Sequence, residues 1–358
     1  MKKALVTLIQ LAVTVVLLWW VFHDHEQREK MSKALHQANY RWVIAAIGAY
    51  IMVEIAAAVR WQILLRVQGI CINLFRLGAL FFIGMFYNQF LPGGTGGDII
   101  KSYLLLKETP QHKAGALLAV VFDRLIGLVA LVTITVTLLT LRFDLLWRTP
   151  VTIESGFTPH ELLVALGILL GVSVTGLVGS FIISGFNLFH LLPHKFPGRE
   201  KLIEISAAYH LYARHWLVTL VAFGASLVAH LATFTTFLFV AYALHAEDVR
   251  KQPPVPVPAV DFFAVMPIER TLTAVPISLA GIGLREKLLQ VMLNNLCGVT
   301  VEKAKLIGSL GFLVILICSA PGGIVYFFYK PSGAAHRVRL REMEREVATV
   351  EHEIAEPQ

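Results

Sequence analysis

The sequence predicts an all-α polytopic membrane protein with six full spans and two re-entrant or broken helical segments, arranged as two inverted repeats. Three observations predict it. The 358-residue chain is 56% hydrophobic and only 15% charged, whereas soluble domains carry about 25% charged residues. Its mean hydropathy is +0.67. Six apolar runs reach the roughly 20 residues that a helix needs to cross the hydrocarbon core. Two further apolar runs are interrupted by Gly and Pro.

In chain order the spans are 4–22, 42–64, 114–141, 161–183, 216–244 and 306–329. The first follows Lys2 and Lys3, as a signal peptide would. Its apolar run is longer than an h-region and no small-residue cleavage site follows, so it reads as a retained span. The interrupted segments are 77–97 and 259–285, and each ends in a glycine turn followed by a charge. Between spans, 199–216 carries Leu202, Ile205, Tyr209, Tyr212 and Trp216 at helical spacing and reads as an interfacial helix. The run PPVPVP at 253–258 is an extended linker. These elements divide the chain into a first repeat at 1–141, a second at 142–330 and a mixed-charge tail at 331–358.

Orientation follows from the Lys and Arg residues of short loops. Lys2 and Lys3, then Arg66 to Lys113, then Lys195 to Arg214, then Lys330 to Arg341 mark one side as cytoplasmic. Both termini fall on that side, in the cytoplasmic membrane of a bacterium. The segments 23–41, 142–160 and 245–258 fall outside. The net charge of +7 is spread through these loops without interleaved aromatics, which suits anionic headgroups rather than nucleic acid.

Several chemistries are not expected. Cys71, Cys297 and Cys318 form no zinc or redox spacing. His23 with His25, and His190 with His194, lack a third ligand for a metal. Lys101 and Ser102 lie too far past Gly97 to close a nucleotide-binding loop. No catalytic Ser-His-Asp or Cys-His pattern stands out. The chain is therefore expected to need no cofactor and to be no enzyme.

The glycine turns carry the most information. GTGGDIIKSYLL at 94–105 resembles GIGLREKLLQVM at 281–292, about half the chain away. Each is G-x-G, a charge, then the start of an amphipathic helix. Irregular backbone at membrane depth survives only when buried in protein or lining a watery cavity, and broken helices in inverted repeats form transporter binding sites. Gly94, Gly96, Gly281 and Gly283 thus expose backbone N–H groups to an anion, or they simply break a helix. Asn88 either joins that site or caps the turn. Ionisable residues inside spans mark functional sites: Glu54 near the midplane as a possible proton relay, Asp123 and Arg124 in the third span, Glu269 and Arg270 in the second broken segment. Asp123 is expected to meet Arg270 or Arg285 across the repeat, or the pairs neutralise one another between helices. Arg60 is expected to snorkel at a span end. Arg285 stands at a helix start, where the dipole disfavours a cation, so it calls for Asp98, Asp123 or a lipid phosphate, or it joins Glu286 and Lys287 in an ordinary interfacial charge cluster.

NQFLPGGTGGDIIKSYLL, FDRLIGLVAL and PISLAGIGLREKLL together resemble the three signature blocks of the lysylphosphatidylglycerol synthase transmembrane-region family, over roughly residues 5–330. Asp98, Gly281, Gly283 and Glu286 match its pattern, while Asp123 stands where the family often has Glu before Arg124. The resemblance implies movement of a phospholipid or other lipid between leaflets. In that reading the turn amides, Arg124, Arg270 and Arg285 hold an anionic headgroup. Asp98, Asp123, Glu269 and Glu286 pair those arginines, bind a cationic headgroup or relay protons. The alternatives are an intramembrane lipid-modifying transferase or an accessory subunit of one. A homodimer is left open.

Overall fold

The computed structural model describes residues 25–90, 96–142, 211–273 apart from 213, and 284–329, with isolated helical positions between 164 and 210. Four of the described helices are long and apolar enough to cross a membrane: Tyr40–Val67, Gly115–Leu141, Trp216–Ala243 and Val301–Phe328. At 1.5 Å per residue each is about 40 Å long. They correspond to the expected spans at 42–64, 114–141, 216–244 and 306–329. The expected span at 4–22, most of 161–183 and the tail lie outside the described residues.

The short helix α1, His25–Gln37, leads into α2, Tyr40–Val67. Asn39 caps α2 by accepting from the Arg41 N–H at 3.1 Å. Next come α3, Leu74–Phe90, and α4, Gly96–Glu108, the two arms of a helical hairpin. The second span is α5, Lys113–Leu141, and the third is α6, Trp216–Ala243. Strands β1, Glu247–Asp248, and β2, Val255–Pro256, pair antiparallel, so the proline-rich linker is extended as expected. A second hairpin is formed by α7, Ala259–Thr273, and α8, Leu284–Cys297. The last span is α9, Val301–Ser319, continued by α10, Pro321–Phe328.

Hydrogen bonds and ion pairs sort the element ends into two groups. At one end, Arg76 near the start of α3 meets Glu108 at the end of α4 at 2.9 Å. Tyr329, just past α10, donates to the same carboxylate at 2.6 Å. Tyr212 donates to the Leu64 carbonyl at 3.2 Å, near the end of α2. At the other end, the Asn39 N–H donates to the Ala243 carbonyl at 3.0 Å. Arg142 meets Asp261 at 2.6 Å, and Arg250 donates to the carbonyls of Asn295 and Leu296 at 3.2 and 3.0 Å. The spans run between these ends. The first hairpin opens to one end and the second to the other. The hairpin arms are only about 20–25 Å long, shorter than the spans beside them.

Close backbone approach holds the first hairpin together. A Cβ placed on Gly97 would collide with the Gly84 carbonyl and lie 2.7 Å from the Asn88 side chain. One on Gly322 of α10 would collide with the Phe82 carbonyl. The apolar packing follows the hairpins. Trp61, Leu77, Leu80, Ile83, Ile100 and Leu105 form one buried cluster around the first. Phe234, Phe237, Phe262, Leu289, Leu293 and Ile307 belong to another around the second. Tyr212, placed by its spacing on an interfacial helix, is instead fully buried and stacked on Phe122 at 3.8 Å between centroids. Its ring fills a gap between α2 and α5 rather than facing headgroups.

The β1–β2 loop is clamped by Asp248. Its two oxygens accept from Arg250 at 2.8 and 3.1 Å. Gly298 stands against them at φ 67°, where any Cβ would strike the carboxylate, so glycine serves both backbone and space.

Two outcomes follow. Gly97→Val should destabilise the protein by about 1–3 kcal/mol through overpacking, lowering the thermal midpoint in detergent. Gly78→Val in the same hairpin, where an added Cβ meets nothing within 4 Å, should change it far less. The second concerns pH. The Arg250 guanidinium holds the Asp248 carboxyl below the usual aspartate range, against an opposing push from burial. A folded-state value below the unfolded one, about 3.9, stabilises the loop above that pH, and this is lost as pH falls through the lowered value. The stability difference between the wild type and Asp248→Asn should therefore be constant near neutrality and shrink below about pH 4.

Candidate functional site

Helices α2, α4 and α5 bring five charged side chains together in the first half of the chain. Arg60 of α2 grips Asp123 of α5 with two parallel bonds, Nε to Oδ1 at 2.7 Å and Nη2 to Oδ2 at 3.1 Å. Such a bidentate pair is both strong and directional. Its remaining Nη1 donates to the Ser226 hydroxyl of α6 at 3.0 Å. Lys101 of α4 approaches the other side of Asp123, with Nζ 3.6 Å from Oδ2. Arg124, next to Asp123 in sequence, pairs with Asp98 of α4.

The helical repeat explains this double crossing. Asp98 and Lys101 are three residues apart and share one face of α4. Asp123 and Arg124 are adjacent and point about 100° apart on α5. Each member of one couple finds its opposite in the other. The Gly84–Gly97 contact sets the depth of α4, since a Cβ on Gly84 would lie 3.2 Å from both the Gly97 carbonyl and the Lys101 Cβ.

Three cations and two carboxylates leave this group with one surplus positive charge. Lys101 is only 4% exposed and its ammonium lies 4.1 Å from the Trp61 ring centroid and 5.5 Å from that of Phe81. Ring faces attract a desolvated cation, which helps hold Lys101 here without a full counter-charge. Asp123 and Arg60 are also largely buried, whereas the Arg124 side chain is 52% exposed. The group therefore presents one accessible guanidinium backed by buried positive charge. Beside it, the His230 ring nitrogen of α6 lies 3.0 Å from the Gly127 carbonyl of α5.

The other expected residues fall as follows. The Asn88 side chain accepts from the Gly97 N–H at 2.9 Å, so it caps α4 and occupies an amide that an anion would otherwise use. Gly96 is buried at the start of α4. Gly94, Gly281 and Gly283 lie outside the described residues. Arg285 and Glu286 lie in the first turn of α8, and their side chains lie outside the described set. Glu269 is fully buried and pairs at 3.5 Å with its neighbour Arg270, whose guanidinium lies 5.6 Å from the Phe237 ring. Glu54 is buried in the middle of α2, remote from the Arg60 face.

Three expectations are corrected. Asp123 meets Arg60 and Lys101 of its own half rather than Arg270, because the first hairpin folds α4 back against α5; the Arg285 side chain lies outside the described residues. Arg60 does not snorkel: α2 runs on to Val67 and packs along α6, which keeps the guanidinium inside. Lys101, counted among the loop cations, is a buried helical residue. Its signal was the spacing of Asp98 and Lys101, opposite charges on one helical face directly after a glycine turn.

The family model described as the lysylphosphatidylglycerol synthase TM region matches residues 7–322. A UPF0104 membrane protein of Pyrococcus horikoshii is 29% identical over 134 residues, 37% of this chain and 38% of that protein. A UPF0104 membrane protein of Methanocaldococcus jannaschii is 28% identical over 99 residues, 27% of this chain and 30% of that protein. The matched region thus spans less than half of either relative. No solved structure matches.

Removing one partner of a buried ion pair strands the other charge, at a cost of about 3–5 kcal/mol. Asp123→Ala, which strands both Arg60 and Lys101, should destabilise the protein on that scale, and Arg60→Ala, which leaves Asp123 paired with Lys101, by less. The double variant should cost less than the sum of the two. A double-mutant cycle on thermal unfolding in detergent measures it, and additive losses would mean that the pair is not coupled.

Proposed function

The chain belongs to the lysylphosphatidylglycerol synthase transmembrane-region family, and we propose that it moves a phospholipid or other lipid with an anionic headgroup between the leaflets of the cytoplasmic membrane. The observation that carries this reading is the surplus positive charge of the Arg60–Asp123–Lys101 and Asp98–Arg124 group. A buried net charge is costly unless compensated, and a headgroup phosphate supplies the missing negative charge. Arg124 is the accessible contact. A phosphate takes its guanidinium in the bidentate manner that the Asp98 carboxylate otherwise uses. Lys101 and Arg60 stabilise the phosphate from behind, while the acyl tails stay in the lipid.

The two hairpins give this reading a framework. They open to opposite ends of the spans, as re-entrant segments of two inverted repeats do. Together with spans at 4–22 and 161–183, the four described spans make six. The ends that hold 66–76, 107–113 and 329 then face the cytoplasm with both termini, and those that hold 142 and 245–258 face outward. The bacterial inner membrane is the location that best suits the loop charges. No chemical step on the lipid is proposed, and the protein acts as a carrier rather than an enzyme.

A leaflet-exchange assay with fluorescent phosphatidylglycerol in proteoliposomes tests the function. Wild-type protein should accelerate exchange over empty vesicles. Arg124→Ala should lose at least about tenfold, the equivalent of one charge-assisted hydrogen bond. Arg124→Lys, which keeps the charge but loses the fork, should fall between. Wild-type vesicles that exchange lipid no faster than empty ones would refute the function. Labelling of a single cysteine placed at position 107 from the outer face would refute the proposed orientation.

A further inference from the structure

Glu54 stands apart from the charged group just described. It lies at the centre of α2, about 20 Å from either end. It is 3% exposed, and among the described residues its Oε1 has no hydrogen-bond partner. It shares the inward face of α2 with Ala46 and Tyr50, at four-residue spacing. Six residues separate it from Arg60, which turns the two side chains about 120° apart. The Cys318 thiol of α9 is electrostatically coupled to it. Among the described residues it forms no ion pair with a charged group of α3, α5, α6 or α9, the elements packed against α2.

An ionised carboxylate in such a place costs far more than the neutral acid, and an ionisable residue at the centre of a span is rare without a purpose. A metal cation would need several oxygen ligands, and no oxygen donor or acceptor is offered to Oε1 among the described residues. A proton needs only the carboxyl itself. Building on the lipid-transport reading, we propose that Glu54 is the proton-carrying carboxyl that couples lipid movement to a proton gradient. The carboxylate takes up a proton when open to one aqueous side, stays neutral while enclosed in the apolar interior, and releases the proton when open to the other side. Because Glu54 and Arg60 sit on two faces of one rigid helix, a shift of α2 that carries Glu54 between environments also moves the Arg60–Asp123 pair. Proton and headgroup are then linked through α2 rather than by direct contact.

The test uses full-length protein in proteoliposomes with fluorescent phosphatidylglycerol, the membrane potential clamped and a gradient of one pH unit imposed in either direction. With one proton per lipid, the wild type should build a leaflet asymmetry of up to about tenfold. The asymmetry should reverse with the sign of the gradient and vanish with a protonophore. Glu54→Gln, a permanent mimic of the neutral acid, should still exchange lipid but only to a symmetric distribution. Exchange in the wild type that ignores the gradient, or asymmetry that survives in Glu54→Gln, overturns the proton assignment and leaves the transport reading standing. Absence of any exchange overturns both. Should the variant fail to insert, dicyclohexylcarbodiimide serves on the wild type, since it modifies protonated carboxyls in apolar surroundings. Its attachment to Glu54 at acidic pH should abolish the asymmetry. Asymmetry that persists with Glu54 modified, or no modification there, overturns the proposal.

Discussion

The bidentate bond between Arg60 and Asp123 is the contact on which the arrangement of the first half depends. It ties α2 to α5, and through Ser226 it reaches α6. Lys101 joins from α4, so one carboxylate lies at the meeting point of four helices. A pair this deep gives little net stability compared with apolar residues of the same volume, because desolvation offsets most of the attraction. What it does set is register. The geometry of a fork on a carboxylate is narrow, and sliding α2 by one turn would take Arg60 off Asp123 and leave its guanidinium without a carboxylate.

Backbone chemistry imposes the second constraint. A chain that breaks its helix inside an apolar medium must pair the freed N–H and C=O groups with protein. The first hairpin meets this by bringing α3 and α4 to backbone contact at Gly84 and Gly97 and by capping α4 with Asn88. The same closeness carries Asp98 and Lys101 to the depth at which they meet Asp123 and Arg124. Hairpin geometry and site electrostatics are therefore one problem. A bulkier residue at Gly97 would push α4 outward and loosen both ion pairs.

How much of this was legible follows from the same physics. The spans at 42–64, 114–141, 216–244 and 306–329 were readable because a 20-residue apolar run has few other uses. The described helices end at Phe90 and Thr273 and resume at Gly96 and Leu284, and the glycine turns expected between them lie largely outside the described residues. Which charges meet was not readable, since pairing depends on how elements fold back. Arg60 looked like a residue near a span end because apolar character fades at Leu65, yet the helix continues to Val67. Lys101 looked like one of several loop cations because it precedes Lys107 and Lys113. Only the return of α4 along α3 distinguishes it. Asn88 was open between ligand and cap, and the Gly97 bond makes it a cap.

The two ion pairs differ in a way that bears on transport. A site that carries an anion must both hold it and release it, so not every charge in it can be locked. Arg60 and Asp123 are buried, bonded twice and braced by Ser226. Asp98 and Arg124 sit further out, with the guanidinium half exposed. Breaking a buried pair strands a charge, and the outer pair is the less buried of the two. In the proposed transport, exchange of Asp98 for a phosphate at Arg124 would therefore cost less than a rearrangement at Asp123. In the proposed transport the outer pair would serve as the exchangeable contact, with the inner pair and Lys101, held between Asp123 and Trp61, behind it.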